Sequence, residues 1–297
     1  MFKSGFIGII GRPNVGKSTL LNSVIGENIA IVTPKPQTTR NRIMGIKNFP
    51  DGQLVFLDTP GIHEARTPLN RSMVEAAVGA FGSVDLLLLL VEAPAGAHPD
   101  DRRVIRSLES VALPVLLLLN KIDLVKKETL LPLIEQFQHL FPFREIIPLS
   151  ARNGDGVGIV LEEIFKILPE GPRLFPDDIM TDRSERFIAA EIVREKITLL
   201  THQEIPYAVA VVVDTFREME ERNLIRIQAT IHVEKDSQKA IVIGRRGAML
   251  KEIGRLARLD MERFFAARIY LELFVRVQKD WSRDAKMLRE FGYSGKN

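Results

Sequence analysis

Up to about residue 168 the chain alternates short apolar runs with longer amphipathic stretches. The runs at 6–10, 54–57, 86–91, 115–119 and 146–149 have the length of buried strands. Helical spacing recurs between them near 18–25, 70–81, 100–108, 129–138 and 158–167. Strand–helix alternation predicts a mostly parallel sheet with helices on both faces, and ligands at the carboxyl ends of its strands. Residues 169–183, PEGPRLFPDDIMTDR, contain three prolines and no period, which predicts a linker. Beyond it the pattern changes to a helix near 185–200, β-rich runs at 208–216 and 224–233, helices near 238–243 and 248–264, and a strand at 267–277. The predicted order is α-β-β-α-α-β. We divide the chain into an N-terminal domain 1–170, a linker 171–183 and a C-terminal domain 184–297.

A length of 297 residues is enough for two domains with cores of their own. The longest apolar runs fall far short of the roughly 20 residues that cross a bilayer. The N-terminal MFKSGFIGII leads straight into a predicted strand, so a secretory signal is not expected. The absence of cysteine excludes disulfides and thiolate metal sites and suits a reducing cytoplasm. His63, His98, His139, His202 and His232 lack ligand spacing, so no transition-metal site is expected. Charge is uneven: residues 1–180 carry 19 Lys and Arg against 20 Asp and Glu, and residues 181–297 carry 22 against 18. A basic C-terminal domain points to a polyanionic partner, although charge alone fits a solvated face equally well.

The strand at 6–10 runs into Gly11, Arg12, Pro13, Asn14, Val15, Gly16, Lys17 and Ser18, a complete G-x-x-x-x-G-K-S, followed by Thr19. Such a loop turns backbone N–H groups and a helix N-terminus toward phosphates; Lys17 is expected on the β- and γ-phosphates and the Ser18 hydroxyl on Mg²⁺. Asn120, Lys121, Ile122 and Asp123 follow the strand at 115–119. Guanine presents N1–H and its 2-amino group side by side, and a carboxylate at Asp123 accepts both, whereas adenine offers an acceptor there. Ser150, Ala151 and Arg152 follow the next strand and are placed to support the base. Asp58, Thr59, Pro60 and Gly61 end the strand at 54–57; Asp58 is expected to hold Mg²⁺ through water and the Gly61 amide to touch the γ-phosphate. The segment 31–42 contains Gln37, Thr38, Thr39 and Arg40 and supplies a further hydroxyl for the metal, with Thr39 favoured over Thr38 by analogy with related motifs.

In the C-terminal domain Ile243 precedes Gly244, Arg245, Arg246 and Gly247, and Lys251 follows one turn later. A Gly-x-x-Gly turn between helices admits a sugar-phosphate backbone, and the arginines favour its approach. Some of Arg255, Arg258 and Arg263 have acidic neighbours at helix spacing and are expected to form surface pairs. Trp281 and Tyr270 are expected to be buried.

These elements, in this order and spacing, resemble the Ras-like (TrmE-Era-EngA-related) ribosome-assembly GTPases with a C-terminal KH domain. The resemblance implies an α/β fold: a P-loop NTPase GTPase domain with a mixed, mostly parallel sheet flanked by helices, then a smaller α+β type II KH domain. It further implies slow hydrolysis of GTP to GDP with Mg²⁺. RNA contacts at Ile243, Gly244, Arg245, Arg246, Gly247 and Lys251 are expected, with single-stranded 16S rRNA near its 3′ end bound during 30S subunit maturation. The implied protein is a cytoplasmic monomer, partly peripheral on the inner face of the cell membrane. A C-terminal domain that docks a protein or membrane instead of RNA is the alternative. Ile62 stands where Ras has a water-orienting glutamine, so weak intrinsic hydrolysis is expected. Asn14 resembles the asparagine that holds K⁺ in potassium-activated relatives, which makes Asn14, with Lys17, Thr39 and Gly61, a catalytic candidate.

Overall fold

The computed structural model describes residues 1–36, 38–61, 84–109 and 111–293. The N-terminal domain runs β1 (Lys3–Ile10), α1 (Lys17–Ile25), β2 (Ile43–Phe49), β3 (Gly52–Asp58), β4 (Leu86–Glu92), α2 (Pro99–Ser107), β5 (Val115–Asn120), α3 (Leu130–Gln138), β6 (Glu145–Pro148) and α4 (Val157–Ile167). Its six-stranded sheet has the order β2-β3-β1-β4-β5-β6, parallel except for β2, which pairs antiparallel with β3. Alternate residues of the apolar runs feed two cores. Ile7, Leu54, Phe56, Leu88 and Leu118 pack with α1 and α4, while Leu57, Leu89 and Leu117 pack with Val104 of α2 and Phe137 of α3. Burial on both faces is why Leu86–Glu92 shows no alternation. The helix expected near 70–81 lies outside the described residues.

Strand β2 was not foreseen. Gly45, Lys47 and Asn48 interrupt its apolar pattern, as an edge strand with one partner permits. Residues 169–183 form no long helix or strand, but they are not a free tether. The fully buried Gln53 accepts from Leu174 N at 2.8 Å and Phe175 N at 2.9 Å and donates to Phe175 O at 2.8 Å. Ile46 N donates to Met180 O at 2.8 Å, so this segment is strapped along β2 and β3.

The C-terminal domain contains α5 (Glu185–Leu200), a short α6 (Ile205–Ala208), β7 (Ala210–Met219), β8 (Leu224–Val233), α7 (Asp236–Ile243), α8 (Ala248–Phe265), β9 (Arg268–Val277) and α9 (Ala285–Glu290). Its sheet has the order β7-β8-β9, antiparallel then parallel, and α5, α7 and α8 cover one face. Val193, Ile197, Ile227, Ile231, Val242, Ile253 and Met261 fill that interface. Trp281 is fully buried as expected, and its indole Nε1 donates to Ala208 O at 3.0 Å. Tyr270 corrects the expectation: it is 50% exposed, because β9 turns Ile269 and Leu271 toward α5, α7 and α8 and Tyr270 toward the opposite face, which residues 281–293 cover only at its Ala210–His232 end. No helix among the described residues is long and apolar enough to cross a membrane.

Candidate functional site

The turn after β1 is shaped by residues with positive φ. Gly11, Asn14 and Gly16 lie at φ 147°, 66° and 103°. A Cβ on Gly16 would sit 2.2 Å from Asn120 Nδ2, so the loop can close on β5 only with glycine there. Gly16→Ala is therefore expected to weaken nucleotide affinity at least about tenfold and to lower Tm; unchanged affinity in a titration would contradict this packing.

Lys17, the first residue of α1, is buried and donates to Gly11 O at 3.2 Å and Arg12 O at 3.0 Å. Burial lowers its pKa to about 8, with Asp58 opposing and Arg12 adding to the shift. Burial likewise raises Asp58 to about 6, against the pull of Lys17 and the hydrogen bonds from Ser18 and Thr39. Both groups are poorly solvated charges of the kind a phosphate and a divalent cation would stabilise. Ser18 Oγ lies 2.7 Å from Asp58 Oδ2 and 2.8 Å from Thr39 Oγ1. Asp58 Oδ1 is buried and has no hydrogen-bond partner among the described residues. Two hydroxyls and a carboxylate with an oxygen to spare form a hard oxygen set that fits Mg²⁺. Thr38 is turned elsewhere, with its hydroxyl 2.8 Å from Thr33 Oγ1 and 2.7 Å from Lys35 O.

The 58–61 loop lies against the P-loop: a Cβ on Gly61 would come within 2.6 Å of Pro13 N. Thr59 is buried and donates to Ile9 O at 2.9 Å, tying this loop back to β1. Ile62 lies outside the described residues. The cavity beside these loops measures about 940 Å³; Arg12, Pro13, Asn14, Gly16, Lys17, Ser18, Thr19, Thr39 and Gly61 form one end, and Asn120, Lys121, Asp123, Ala151 and Arg152 the other. Gly11, Val15, Asp58, Thr59, Pro60 and Ser150 are buried and do not line it.

Asn120 fastens three loops at the second end, donating to Val15 O at 2.7 Å and accepting from Ala151 N at 2.9 Å. Asp123 is exposed at the rim and accepts from Ser150 Oγ at 2.7 Å through Oδ1. Lys121 Nζ donates to Asn14 O at 2.8 Å and pairs with Glu92, which also binds Arg12 at 2.6 Å. Burial opposes ionisation of Glu92, but Lys121 and Arg12 outweigh it and hold the carboxyl below its usual range. The sequence reading missed Glu92, although its place at the carboxyl end of β4 is where ligands of such sheets bind.

The segment 31–42 is bonded to the C-terminal domain. Val32 N donates to Glu195 Oε1 at 3.1 Å, Lys35 Nζ reaches Thr198 O and Thr201 O, and the buried Arg194 donates to Thr38 O at 2.6 Å. Arg40 is 4% exposed, donating to Val209 O at 2.6 Å, Pro206 O at 2.9 Å and Tyr207 O at 3.0 Å. Its guanidinium carbon lies 5.9 Å from the Trp281 ring and 5.5 Å from that of Tyr293. Thr39, which meets Ser18 and Asp58, thus sits between two residues held by the other domain. Except for Glu195, the acceptors are backbone carbonyls, which leave no mark in a sequence, so these contacts were not anticipated.

In the second candidate region Gly244, Arg246 and Gly247 all have positive φ, at 73°, 54° and 78°. A Cβ on Gly244 would lie 2.6 Å from Met249 Cβ, whereas Gly247 has open space above it. Arg245, Arg246 and Lys251 are exposed, Ile243 is half-buried, and Ile241 is 47% exposed one turn before. Arg255 and Arg263 pair with Glu252 and Asp260 at 2.7 Å and 3.5 Å, as the helix spacing predicts.

Residues 6–121 match the family model described as 50S ribosome-binding GTPase, and residues 204–282 match the KH domain. The GTPase Era of Syntrophus aciditrophicus is 64% identical over 294 residues, covering 99% of this chain and 96% of that protein. This chain belongs to the Era family of GTPases. The Era of Geobacter metallireducens is 55% identical, over 99% of this chain and 98% of its own length. Two crystal structures of Era superpose with TM-scores of 0.96 at 40% identity, each covering 99% of this chain and all of the matched one. One is a complex with MgGDPNP and nucleotides 1506–1542 of 16S ribosomal RNA; the other is an Aquifex aeolicus variant bound to GDP and AlF₄⁻. As an Era-family protein the chain binds GTP and GDP with Mg²⁺ and hydrolyses GTP.

Proposed function

We propose that this GTPase uses its nucleotide state to control binding of 16S rRNA near its 3′ end during 30S subunit maturation. Lys17 and the P-loop amides hold the triphosphate, Asp123 accepts from guanine, and Ser18 and Thr39 ligate Mg²⁺ directly while Asp58 acts through water. The metal, when bound, neutralises charge on the β- and γ-phosphates. The Gly61 amide touches the γ-phosphate, so the 58–61 loop and Thr39 both respond to its loss. RNA binds at the Gly244–Gly247 turn, with Arg245, Arg246 and Lys251 meeting the backbone and Ile243 lining the groove.

The observation that carries this reading is the position of Thr39, hydrogen-bonded to Ser18 on one side and flanked by Thr38 and Arg40, which bond to Arg194 and to the carbonyls of residues 206–209. The RNA half is tested by crosslinking a labelled rRNA 3′ end to the full chain loaded with a non-hydrolysable GTP analogue. Crosslinks should map to residues 244–247 and disappear in Gly244→Asp. Efficient crosslinking by a folded Gly244→Asp variant would mean that the domain docks its partner elsewhere.

We further propose that K⁺ assists hydrolysis beside Asn14. This side chain reaches from the P-loop across the cavity mouth, its Nδ2 donating to Pro34 O at 2.9 Å, so Asn14 stands where the P-loop meets the 31–36 segment. A cation there would supply the positive charge that an arginine finger provides in other GTPases. Hydrolysis is expected to run at least about tenfold faster in KCl than in NaCl, and Asn14→Ala to abolish the difference. Equal rates in the two salts would remove this role.

A further inference from the structure

We infer that the exposed part of the β7-β8-β9 sheet face opposite α7 and α8 is a second RNA surface, which stacks unpaired bases of the same RNA on Tyr270 and Phe274; this rests on the RNA-binding reading above. Helices α5, α7 and α8 pack on the other face, and on this one residues 281–293 cover the Ala210–His232 end and leave Tyr270 and Phe274 open. On the open face Tyr270 and Phe274 are 50% and 53% exposed, four residues and about 13 Å apart along β9. Half-exposed rings of this kind, on a sheet with arginines beside them, are the means by which proteins hold single-stranded nucleic acid without pairing it.

The charges on this face favour a polyanion. Arg217, Arg226, Arg268 and Arg276 are exposed on it, against Asp214 and Glu272. Glu272 is already engaged by Arg226 at 3.0 Å and Gln228 at 2.8 Å, and Asp214 accepts from Thr230 at 2.7 Å. Arg217 and Arg226 are direct cross-strand partners, and since Glu272 offsets Arg226, the charge this face has to offer a phosphate comes from Arg217, Arg268 and Arg276. Arg226 lies over the Tyr270 ring, 5.3 Å from its centre, so a base would stack on the opposite side of that ring.

Topology joins this face to the first RNA site. Strand β9 is the edge of the sheet and packs on its inner side against α7 and α8, the helices that flank the Gly244–Gly247 turn. A GxxG turn clamps about four nucleotides. An RNA leaving it passes round the β9 edge and reaches Tyr270 and Phe274.

The test compares two probes on the full chain loaded with a non-hydrolysable GTP analogue: a hexanucleotide that fills the GxxG groove, and an RNA of the 1506–1542 span. Tyr270→Ala combined with Phe274→Ala should weaken the long RNA about a hundredfold, at roughly tenfold per stacked base, and leave the hexanucleotide within about twofold. Tyr270→Phe should retain most of the affinity. Arg268→Gln with Arg276→Gln should lower the salt dependence of long-RNA binding by about two phosphate contacts. Unchanged long-RNA affinity in the double alanine variant, or an equal loss for both probes, overturns the proposal. So does a change of oligomeric state with RNA affinity intact, which would make this face a contact between copies of the chain. If the wild type binds neither probe, the RNA reading itself fails and this inference fails with it. Loss of the hexanucleotide in Gly244→Asp alone tests that reading separately.

Discussion

Asp123→Asn is expected to lower GTP affinity by about 10² to 10⁴ and to admit xanthosine triphosphate in its place. In the proposed base contact the carboxylate accepts from two adjacent guanine donors, and each such charge-assisted bond contributes about 1.5–3 kcal/mol. Losing both is worth roughly 3–6 kcal/mol, at about 1.4 kcal/mol per tenfold. Asparagine replaces one acceptor with an N–H₂ donor, which meets the 2-amino group of guanine badly and the 2-oxo group of xanthine well. The local frame should survive the change, because Asp123 is exposed and its partner, the Ser150 hydroxyl, can continue to donate to the amide oxygen. Competition between labelled GDP and each triphosphate measures the effect. Full retention of GTP binding would show that the base is read elsewhere.

Arg40→Ala is the second large effect, and it should separate the two activities. The side chain makes three hydrogen bonds from a buried guanidinium to the 206–209 carbonyls and lies over two rings of the C-terminal segment. Bonds to a charged donor contribute about 1.5–3 kcal/mol each, so losing the set removes at least about 3 kcal/mol from the docking of segment 31–42. Arg40 does not line the nucleotide cavity. GTP affinity should therefore stay within about threefold. A coupling free energy between two sites is typically about 1–3 kcal/mol, or 5- to 150-fold in affinity, and the ratio of RNA affinities with GTP analogue and GDP should fall from that range toward one. Equilibrium RNA binding with each nucleotide checks this, and an undiminished ratio would place the coupling in other contacts. Lys35 and Arg194 hold the same segment, so a Lys35→Ala addition is expected to act non-additively.

The parts of this account that were legible in the sequence are local in the chain. The loop around Lys17, the Asn120–Asp123 turn and the glycines at 244 and 247 each place their chemistry by backbone geometry within a few residues, so a motif suffices to find them. The apolar runs identified β1 and β3 to β5 because both their faces are largely buried, and the edge strand β6 through Ile146 and Ile147. Strand β2 escaped because Gly45, Lys47 and Asn48 break its apolar run, and the latter two find partners in distant segments. What reading along the chain could not find are pairings between distant segments. Gln53 holds residues 174 and 175, Glu92 joins Lys121 to Arg12, and Arg40 finds carbonyls nearly 170 residues away. Backbone carbonyls exist at every position, so nothing in the sequence singles out those three. Tyr270 was misread for a related reason: strand alternation gives two faces, but only the placement of α5, α7 and α8 decides which is covered.

The most direct test of nucleotide-controlled RNA binding is a titration of a labelled, single-stranded 16S rRNA 3′ end against the full protein, once with GDP and once with a non-hydrolysable GTP analogue, both with Mg²⁺. The account predicts at least about fivefold tighter binding with the analogue. Identical dissociation constants in the two nucleotide states would contradict it.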